Sequence, residues 1–493
     1  IFMQYTGYLD FSFVKIFFSS IVISAIALSC DARVKDVLAK KPNILLISID
    51  DLNDWVGVMG GHPQLKTPNI DKLASKGMLF TNAHCQSPVC NPSRASMMTS
   101  LYPSSTGIYF LNPPLENSEE SLKSTVMPKR FLEEGYNVQG AGKLFHNKKE
   151  NKKYIDKYWG EFGKWFGPLS EEKISGFNGN AKLWDWGSLE ISDNQTEDGM
   201  IANWAVNILS KDMKKPFFLA LGFFKPHVPH IAPKKWFDKY PIESIKLPKI
   251  IDGDLDDISD YAKSLTRFGH IAPSHEWVVN NNQWESLVRS YLACVSFVDN
   301  QVGKVLDVIE RHDEVQNTYI VLFSDHGFHL GEKEKWAKRS LWKNSTKVPL
   351  IIVGPGIPKG KKSDLPVQLL DIYPTLLELS GLNPDPIHQG NSLVPLLKND
   401  INKWPHMART SFGPGNYAII SKNYRFIQYN NGKEELYDRM NDPNEWYNLI
   451  DDPGLKDVIK EHRNKIPNEN HEILGRGSLG HESYNFSEKL NLN

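Results

Sequence analysis

Residues Ile44 to Ile49, ILLISI, form an apolar run broken only by Ser48, and it stops abruptly at Asp50-Asp51. A run without polar alternation belongs to a strand buried on both faces, as in parallel sheets covered by helices on each side. The pattern recurs along the chain. Phe217 to Leu221 leads into Lys225-Pro226-His227, Tyr319 to Phe323 leads through Ser324 into Asp325-His326, and Val348 to Val353 is a further buried strand. Helices are predicted between them. One runs from Pro68 to Lys76, with Thr67 as cap, Pro68 in the first position and Gly77 closing it. Another covers Gln283 to Arg311, with Leu287, Tyr291, Cys294 and Val298 on one face. This alternation predicts an α/β fold: a large mixed, mainly parallel sheet flanked by helices. Ligands in such sheets bind beyond the carboxyl ends of the strands. Asp50, Asp51, His227, Asp325 and His326 all follow predicted strands, so the fold should gather them there.

With 493 residues the chain exceeds one compact core, which implies a large domain and a smaller one. Asp371 to Leu379 reads as a helix closed by Gly381. Proline-rich turns and short strands at Tyr424 to Gln428 and Glu435 to Tyr437 then suggest a smaller α+β domain. The expected division is 41–397 for the catalytic domain and 398–493 for the smaller one. No internal repeat is present. His146 to Trp159 contains NKKENKK and reads as a solvated loop. Ahead of the first strand, Lys15 precedes fourteen uncharged residues, Ile16 to Ser29, too short to span a bilayer comfortably and shaped like a secretory h-region. Residues 1–30 are therefore expected to be a signal peptide. Cleavage falls either at Cys30, giving a lipid-anchored amino terminus, or nearby in the ordinary way. Both outcomes predict export, to the periplasm or to the outer membrane or cell surface.

Net charge is −1, from 57 basic and 58 acidic residues, so no global field attracts nucleic acid and an anionic ligand needs a local basic pocket. Setting Cys30 aside leaves Cys85, Cys90 and Cys294. Cys85 and Cys90 would pair across a short loop, or, if Cys90 does chemistry, Cys85 and Cys294 are buried thiols.

Three carboxylates brought together, Asp50, Asp51 and Asp325, repel one another unless one is protonated or a cation intervenes. Hard oxygen donors point to calcium, or less well to magnesium, with His326 a softer fourth neighbour. Cys90 opens a predicted helix with Pro92 in its first turn, where backbone N–H groups favour an anion. Arg94 adds a fork that matches tetrahedral oxyanions. Lys143, His146, Lys225, His227 and Lys338 add cationic donors. Each alone reads as ordinary surface or structure; together they describe a pocket for sulfate or phosphate.

Cys90-Asn91-Pro92-Ser93-Arg94 resembles the C-x-P-S-R signature of type I sulfatases, members of the alkaline-phosphatase superfamily. The resemblance extends through ISIDD, Gly142-Lys143-Leu144-Phe145-His146, Lys225-Pro226-His227, Ser324-Asp325-His326-Gly327, Glu334-Lys335-Trp336-Ala337-Lys338 and Glu435-Leu436-Tyr437-Asp438, roughly residues 41 to 450. Within the family, the order of GK-x-x-H, KPH and WAK is most similar to the iduronate-2-sulfatase branch. The resemblance implies that a maturation enzyme converts Cys90 to formylglycine (3-oxoalanine). Its hydrate would attack sulfur and then eliminate sulfate. Asp50, Asp51, Asp325, His326 and residue 90 would hold calcium, with Arg94 and Lys143 positioning the nucleophile. Lys225, His227 and Lys338 would bind sulfate, His227 and Lys338 would assist the departing alcohol, and His146 would be the base. The implied substrate is a sulfated oligo- or polysaccharide, either an algal polysaccharide such as ulvan or a glycosaminoglycan. The lipoprotein-like start and the Lys/Asn-rich sequence suggest a bacterium that degrades such polymers. The family continues to Thr-Gly where this chain has Thr99-Ser100, a departure that bears on how completely Cys90 is modified.

Two other readings stand beside this one. A phosphate or phosphonate monoester hydrolase of the same superfamily would usually show serine or threonine as nucleophile and two zinc ions. An inactive glycan-binding protein would use Trp159, Trp165, Phe166, Trp184 and Trp186 to stack on sugars, although such aromatics more commonly pack an insertion.

Overall fold

A computed structural model describes residues 1, 41–179, 183–211, 216–266, 271–311, 317–399, 404–475, 477 and 484–485. The chain divides into two compact units, Ile1–Pro42 and Asn43–Asn493. The apolar segment 16–29 and Cys30 lie outside the described residues, and no described helix is long and apolar enough to cross a membrane.

The second unit is built on a nine-stranded sheet. Its strands are β1 (Asn43–Ile49), β2 (Met78–His84), β3 (Asn137–Gly142), β4 (Lys157–Trp159), β5 (Phe217–Phe223), β6 (Thr318–Ser324), β7 (Lys347–Val353), β8 (Lys361–Ser363) and β9 (Val367–Gln368). They lie in the order β8-β2-β7-β6-β1-β5-β3-β4, with β9 also on β2. β1 pairs in parallel with β5 and β6, and β3 pairs in parallel with β5 and β4. β7 runs against both β6 and β2, so the sheet is mixed but mainly parallel. The run in β1 is buried on both faces. Leu45, Ile47 and Ile49 join one core cluster, while Ile44 and Leu46 join the other, all at 0% exposure.

Four helices position the site: α1 (Pro68–Ser75), α2 (Cys90–Thr99), α3 (Lys148–Tyr154) and α4 (Trp284–Arg311). At 28 residues, α4 spans about 42 Å at 1.5 Å per residue. Leu287, Tyr291, Cys294 and Val298 are fully buried on it. Cys85, Cys90 and Cys294 are all free thiols, so Cys85 and Cys90 do not pair. The expected cap of α1 is corrected. Thr67 makes no side-chain cap bond; its hydroxyl donates to Asp71 and accepts from Gly57 N–H. The orphan N–H groups of Asn69 and Ile70 instead reach the carboxylate of Asp299 on α4, which ties the two helices together.

The solvated-loop reading of 146–159 is also corrected. The segment folds as α3 followed by β4, because its polar residues are used locally. The Asn147 side chain caps Glu150 N–H, and Glu150 turns inward to accept Leu115 N–H. Lys148, Lys149, Lys152 and Lys153 stay outside. A four-stranded antiparallel sheet follows: β10 (Ala408–Ser411), β11 (Tyr417–Ile420), β12 (Tyr424–Gln428) and β13 (Glu434–Asp438). Two of its strands match the sequence reading; β10 and β11 are short and their signals were too weak to register.

Candidate active site

The carboxyl ends of β1, β3, β5 and β6 deliver Asp50 and Asp51, Lys143, the 225–227 segment and Asp325 to one edge of the sheet. At the end of β3, Gly142 has a φ of +77°, and a Cβ there would stand 2.0 Å from Gly222 O. Glycine is required for that approach, which throws Lys143 inward with its N–H bonded to Gly222 O.

Asp50 accepts Lys143 Nζ at 2.6 Å and Arg94 Nη2 at 3.0 Å. Burial works against its charge, but Lys143, His227 and Arg94 outweigh it and hold the carboxyl far below the usual range. Asp51 takes a left-handed backbone, φ 64°. Its carbonyl accepts the Tyr291 hydroxyl from α4, and that hydroxyl in turn accepts Asn53 N–H. This anchor was not legible in the sequence beyond Tyr291 lying on the inner face. Asp51 Oδ1 accepts Lys338 Nζ at 2.6 Å. Its Oδ2 is buried without a hydrogen-bond partner.

Cys90 is the first residue of α2 and is 2% exposed. Its sulfur lies 3.1 Å from His326 Nε2 and 3.5 Å from Lys338 Nζ. Burial would raise its pKa, yet Lys143, Lys338, His326 and a hydrogen bond from His146 bring it well below a free thiol's. One turn along α2, Arg94 reaches Asp325 through Nε at 2.9 Å and Asp50 through Nη2, while Nη1 donates to the carbonyls of Lys143 and Leu144. The guanidinium is 1% exposed. Its fork is therefore spent on protein carboxylates and carbonyls, which corrects the expectation that it clamps an external oxyanion. Arg94, Lys143 and Lys338 also offset the three carboxylates more fully than bare repulsion suggested.

Asp50, Asp51, Cys90 and His326 each offer one donor atom within 4.8 Å of the others. Asp325, expected as a fifth ligand, stands beside this group of four, its oxygens turned to other partners. Its Oδ1 accepts the N–H groups of Asp51 and His326, and its Oδ2 accepts Arg94. The orphaned Asp51 Oδ2 beside further hard oxygens suits a divalent cation. The local field agrees: despite burial, Asp325 and Cys90 push His326 up to about 9.

His227 donates from Nδ1 to Val228 O, leaving Nε2 3.9 Å from Asp51 Oδ2. Its ring stacks on Phe166, centroids 4.4 Å apart. Lys225 does not join it. Its Nζ donates to Pro229 O and Phe166 O, so the side chain braces the turn and holds Phe166 in place of lining the cavity. That corrects its expected role as an anion ligand. A cavity of about 490 Å³ opens above Cys90, with Asp51, His146, His227, Lys338 and Arg339 as its polar end and Leu111, Phe166, Leu183, Trp184 and Phe328 among its walls. Arg339 was missed because, next to Lys338, it reads as one more surface cation. Of the five aromatics singled out, Phe166 and Trp184 line this cavity. Trp186 is buried with its indole N–H on Gln283, and Trp159 stacks on Trp204.

His146 is half-buried and keeps Nδ1 without a partner. Its loop is held by Asn151, fully buried on α3, which accepts Leu144 N–H and Phe145 N–H and donates to Phe145 O and Asn147 O. Asn151→Ala strands these backbone groups. It should cost about 1–3 kcal/mol for each group left unpaired, read by urea unfolding. An unchanged midpoint would show that water replaces the amide.

At the end of α2, Ser100 has a φ of 56°, the left-handed cap position that favours glycine. Its hydroxyl offsets the strain by donating to Leu370 O and accepting Gly390 N–H.

Comparisons with known proteins agree over residues 42–472. The sulfatase family profile matches residues 42–382, and a profile described as N-sulphoglucosamine sulphohydrolase, C-terminal, matches 331–472. A protein named sulfatase from Formosa agariphila is 41% identical, covering 90% of each chain. Human iduronate 2-sulfatase is 29% identical over 84% of this chain and 82% of its own. The solved structure of a 2-O GAG sulfatase superposes with a TM-score of 0.67 at 24% identity, over 86% of this chain and 91% of that one.

Proposed function

Because the chain belongs to the sulfatase family and is a sulfuric ester hydrolase, we propose that it removes sulfate esters from a sulfated glycan, using formylglycine made from Cys90 and one bound divalent cation, calcium by preference. The observation that carries this reading is Cys90 at the start of α2, on the floor of the cavity, within reach of His326 and Lys338 and beside two aspartates, one with an orphaned oxygen.

Each side chain then has a task. Asp50, Asp51, His326 and residue 90 would hold the cation, with Asp325 fixing Asp51 and Arg94 from the side. A cation there would supply Lewis acidity to an adjoining hydroxyl, and formylglycine would supply an oxygen nucleophile and a carbon able to release sulfate by elimination. Lys338 and His227 line the cavity next to residue 90 and supply charge to the sulfate oxygens. With Nδ1 committed to Val228 O, His227 has Nε2 to carry a proton to the departing alcohol. His146 hydrogen-bonds the Cys90 side chain, and burial lowers its pKa, so it is neutral and able to act as base near neutral pH.

The glycan reading is supported by the naming of human iduronate 2-sulfatase and of the 2-O GAG sulfatase, and by a cavity whose walls suit a sugar ring better than a simple anion. Ulvan and glycosaminoglycan fragments are the first substrates to try, with a phosphate ester alongside. Phosphate turnover far above sulfate turnover would overturn the assignment. The apolar segment 16–29 is read as an export signal, which cell fractionation tests.

Exhaustive chelation followed by gel filtration should reduce sulfate release at least about a hundredfold and lower the melting temperature, and added calcium should restore both. A ligand at a hundred times its Kd contributes about 2.7 kcal/mol to the folded state. Full activity with an unshifted melting temperature after chelation would exclude the cation.

A further inference from the structure

A second cavity of about 480 Å³ adjoins the first, sharing Leu111, His146 and Phe166 with it. Its other walls are Asn112, Asn147, Lys148 and Trp165. Trp165 is half-buried and braced edge-on against Phe224, centroids 5.1 Å apart, so part of its indole remains available. Lys148 Nζ stands 5.4 Å from the Trp165 ring centroid, at the mouth. It begins α3, the NKKENKK segment, and none of the catalytic tasks above uses this run of charge. Lys148, Lys149 and Lys152 are exposed, Lys153 pairs with Glu116, and the helix's one carboxylate, Glu150, is turned inward. The outer side of α3 is therefore a positive rim on an aromatic-walled trough that opens from the reaction cavity.

An indole face, an amide and an ammonium together suit a pyranose ring carrying an anionic group: the C–H face of the sugar packs on the indole, and the ammonium meets carboxylate or sulfate oxygens. We propose that this second cavity is a subsite for the sugar next to the one being desulfated, with its ring on Trp165 and its anionic substituent at Lys148. The proposal rests on the glycan-sulfatase reading and makes the enzyme selective for a chain with charge on consecutive sugars over an isolated sugar sulfate. Phe166 links the two sites physically, since it stacks on His227 in the first cavity and forms a wall of the second.

Calorimetric binding to the full-length Cys90→Ala protein reads the subsite without turnover. The probes are inorganic sulfate and three sulfated hexuronate–hexosamine disaccharides, in which the neighbouring sugar bears a second sulfate, a carboxylate or neither. Trp165→Ala should raise the Kd of every disaccharide at least tenfold more than that of inorganic sulfate. Lys148→Glu, a change at an exposed residue, should do so only for the two anionic neighbours, and the larger of its two effects identifies the group Lys148 meets. Equal losses for sulfate and disaccharides, no loss in either variant, or no disaccharide binding at all would overturn the subsite. Disaccharide binding that depends on Trp165 without any binding of inorganic sulfate would support the subsite and overturn the sulfatase assignment of the deeper cavity instead.

Discussion

Cys90→Ala is expected to lower sulfate release by about four orders of magnitude or more, the scale seen when a covalent nucleophile is removed, while the protein stays folded. The thiol is 2% exposed and its sulfur bonds only to side chains, those of His326, Lys338 and His146, so alanine leaves no backbone group unpaired. Cys90→Ser tests the chemistry more sharply. Serine restores an oxygen of similar size at the start of α2 and should remain nearly inactive, because an alcohol lacks the aldehyde carbon through which sulfate would be eliminated. Wild-type protein from a host with a formylglycine-generating enzyme should show the aldehyde at residue 90 by peptide mass spectrometry. An active preparation carrying only unmodified cysteine would sink the mechanism, as would a serine variant at wild-type rate. The fraction converted also measures what Ser100 does. In the fold its backbone is left-handed and its hydroxyl makes two hydrogen bonds, so serine is accommodated there without glycine.

Much of this site is legible in the sequence. A strand buried on both faces must end at a sheet edge lined by helices, so ILLISI followed by two aspartates already located the ligand side of the sheet. The same logic placed His227, Asp325 and His326. What sequence could not supply was direction. Lys225 and His227 are two residues apart, yet one ammonium turns to backbone carbonyls and one imidazole to the cavity. Arg94 looked like an anion clamp because its charge is visible in sequence, while the two carboxylates that consume it come from other strands. The α3 segment failed for a related reason. Its lysines announce solvent, but the fold is decided by Asn147, Glu150 and Asn151, whose inward bonds reach Leu115, Leu144 and Phe145. Long-range polar partners leave no periodic trace in the sequence.

Arg94→Ala should be the most damaging single change to the fold at this site as well as to the reaction. The side chain bonds Asp50 and Asp325 and fastens the Lys143–Leu144 backbone to α2. Asp50 would keep Lys143, but Asp325 would retain only His326 and backbone N–H groups. Removing one partner of a buried ion pair costs about 3–5 kcal/mol, most of it from the charge left behind. Urea unfolding should show that loss, with no measurable turnover. Arg94→Lys should fall between, since an ammonium reaches one carboxylate where the guanidinium reaches two. The informative variant is Arg94→Met combined with Asp325→Asn, which removes the stranded charge together with its partner. It should recover a large part of the stability lost in Arg94→Ala yet none of the activity, because Asp325 also fixes the N–H groups of Asp51 and His326. Stability and turnover recovering together would mean that Arg94 only balances charge. Stability returning alone would show that neutralising the stranded charge is not enough, and that the Arg94–Asp325 pair sets the geometry of the acidic cluster around residue 90.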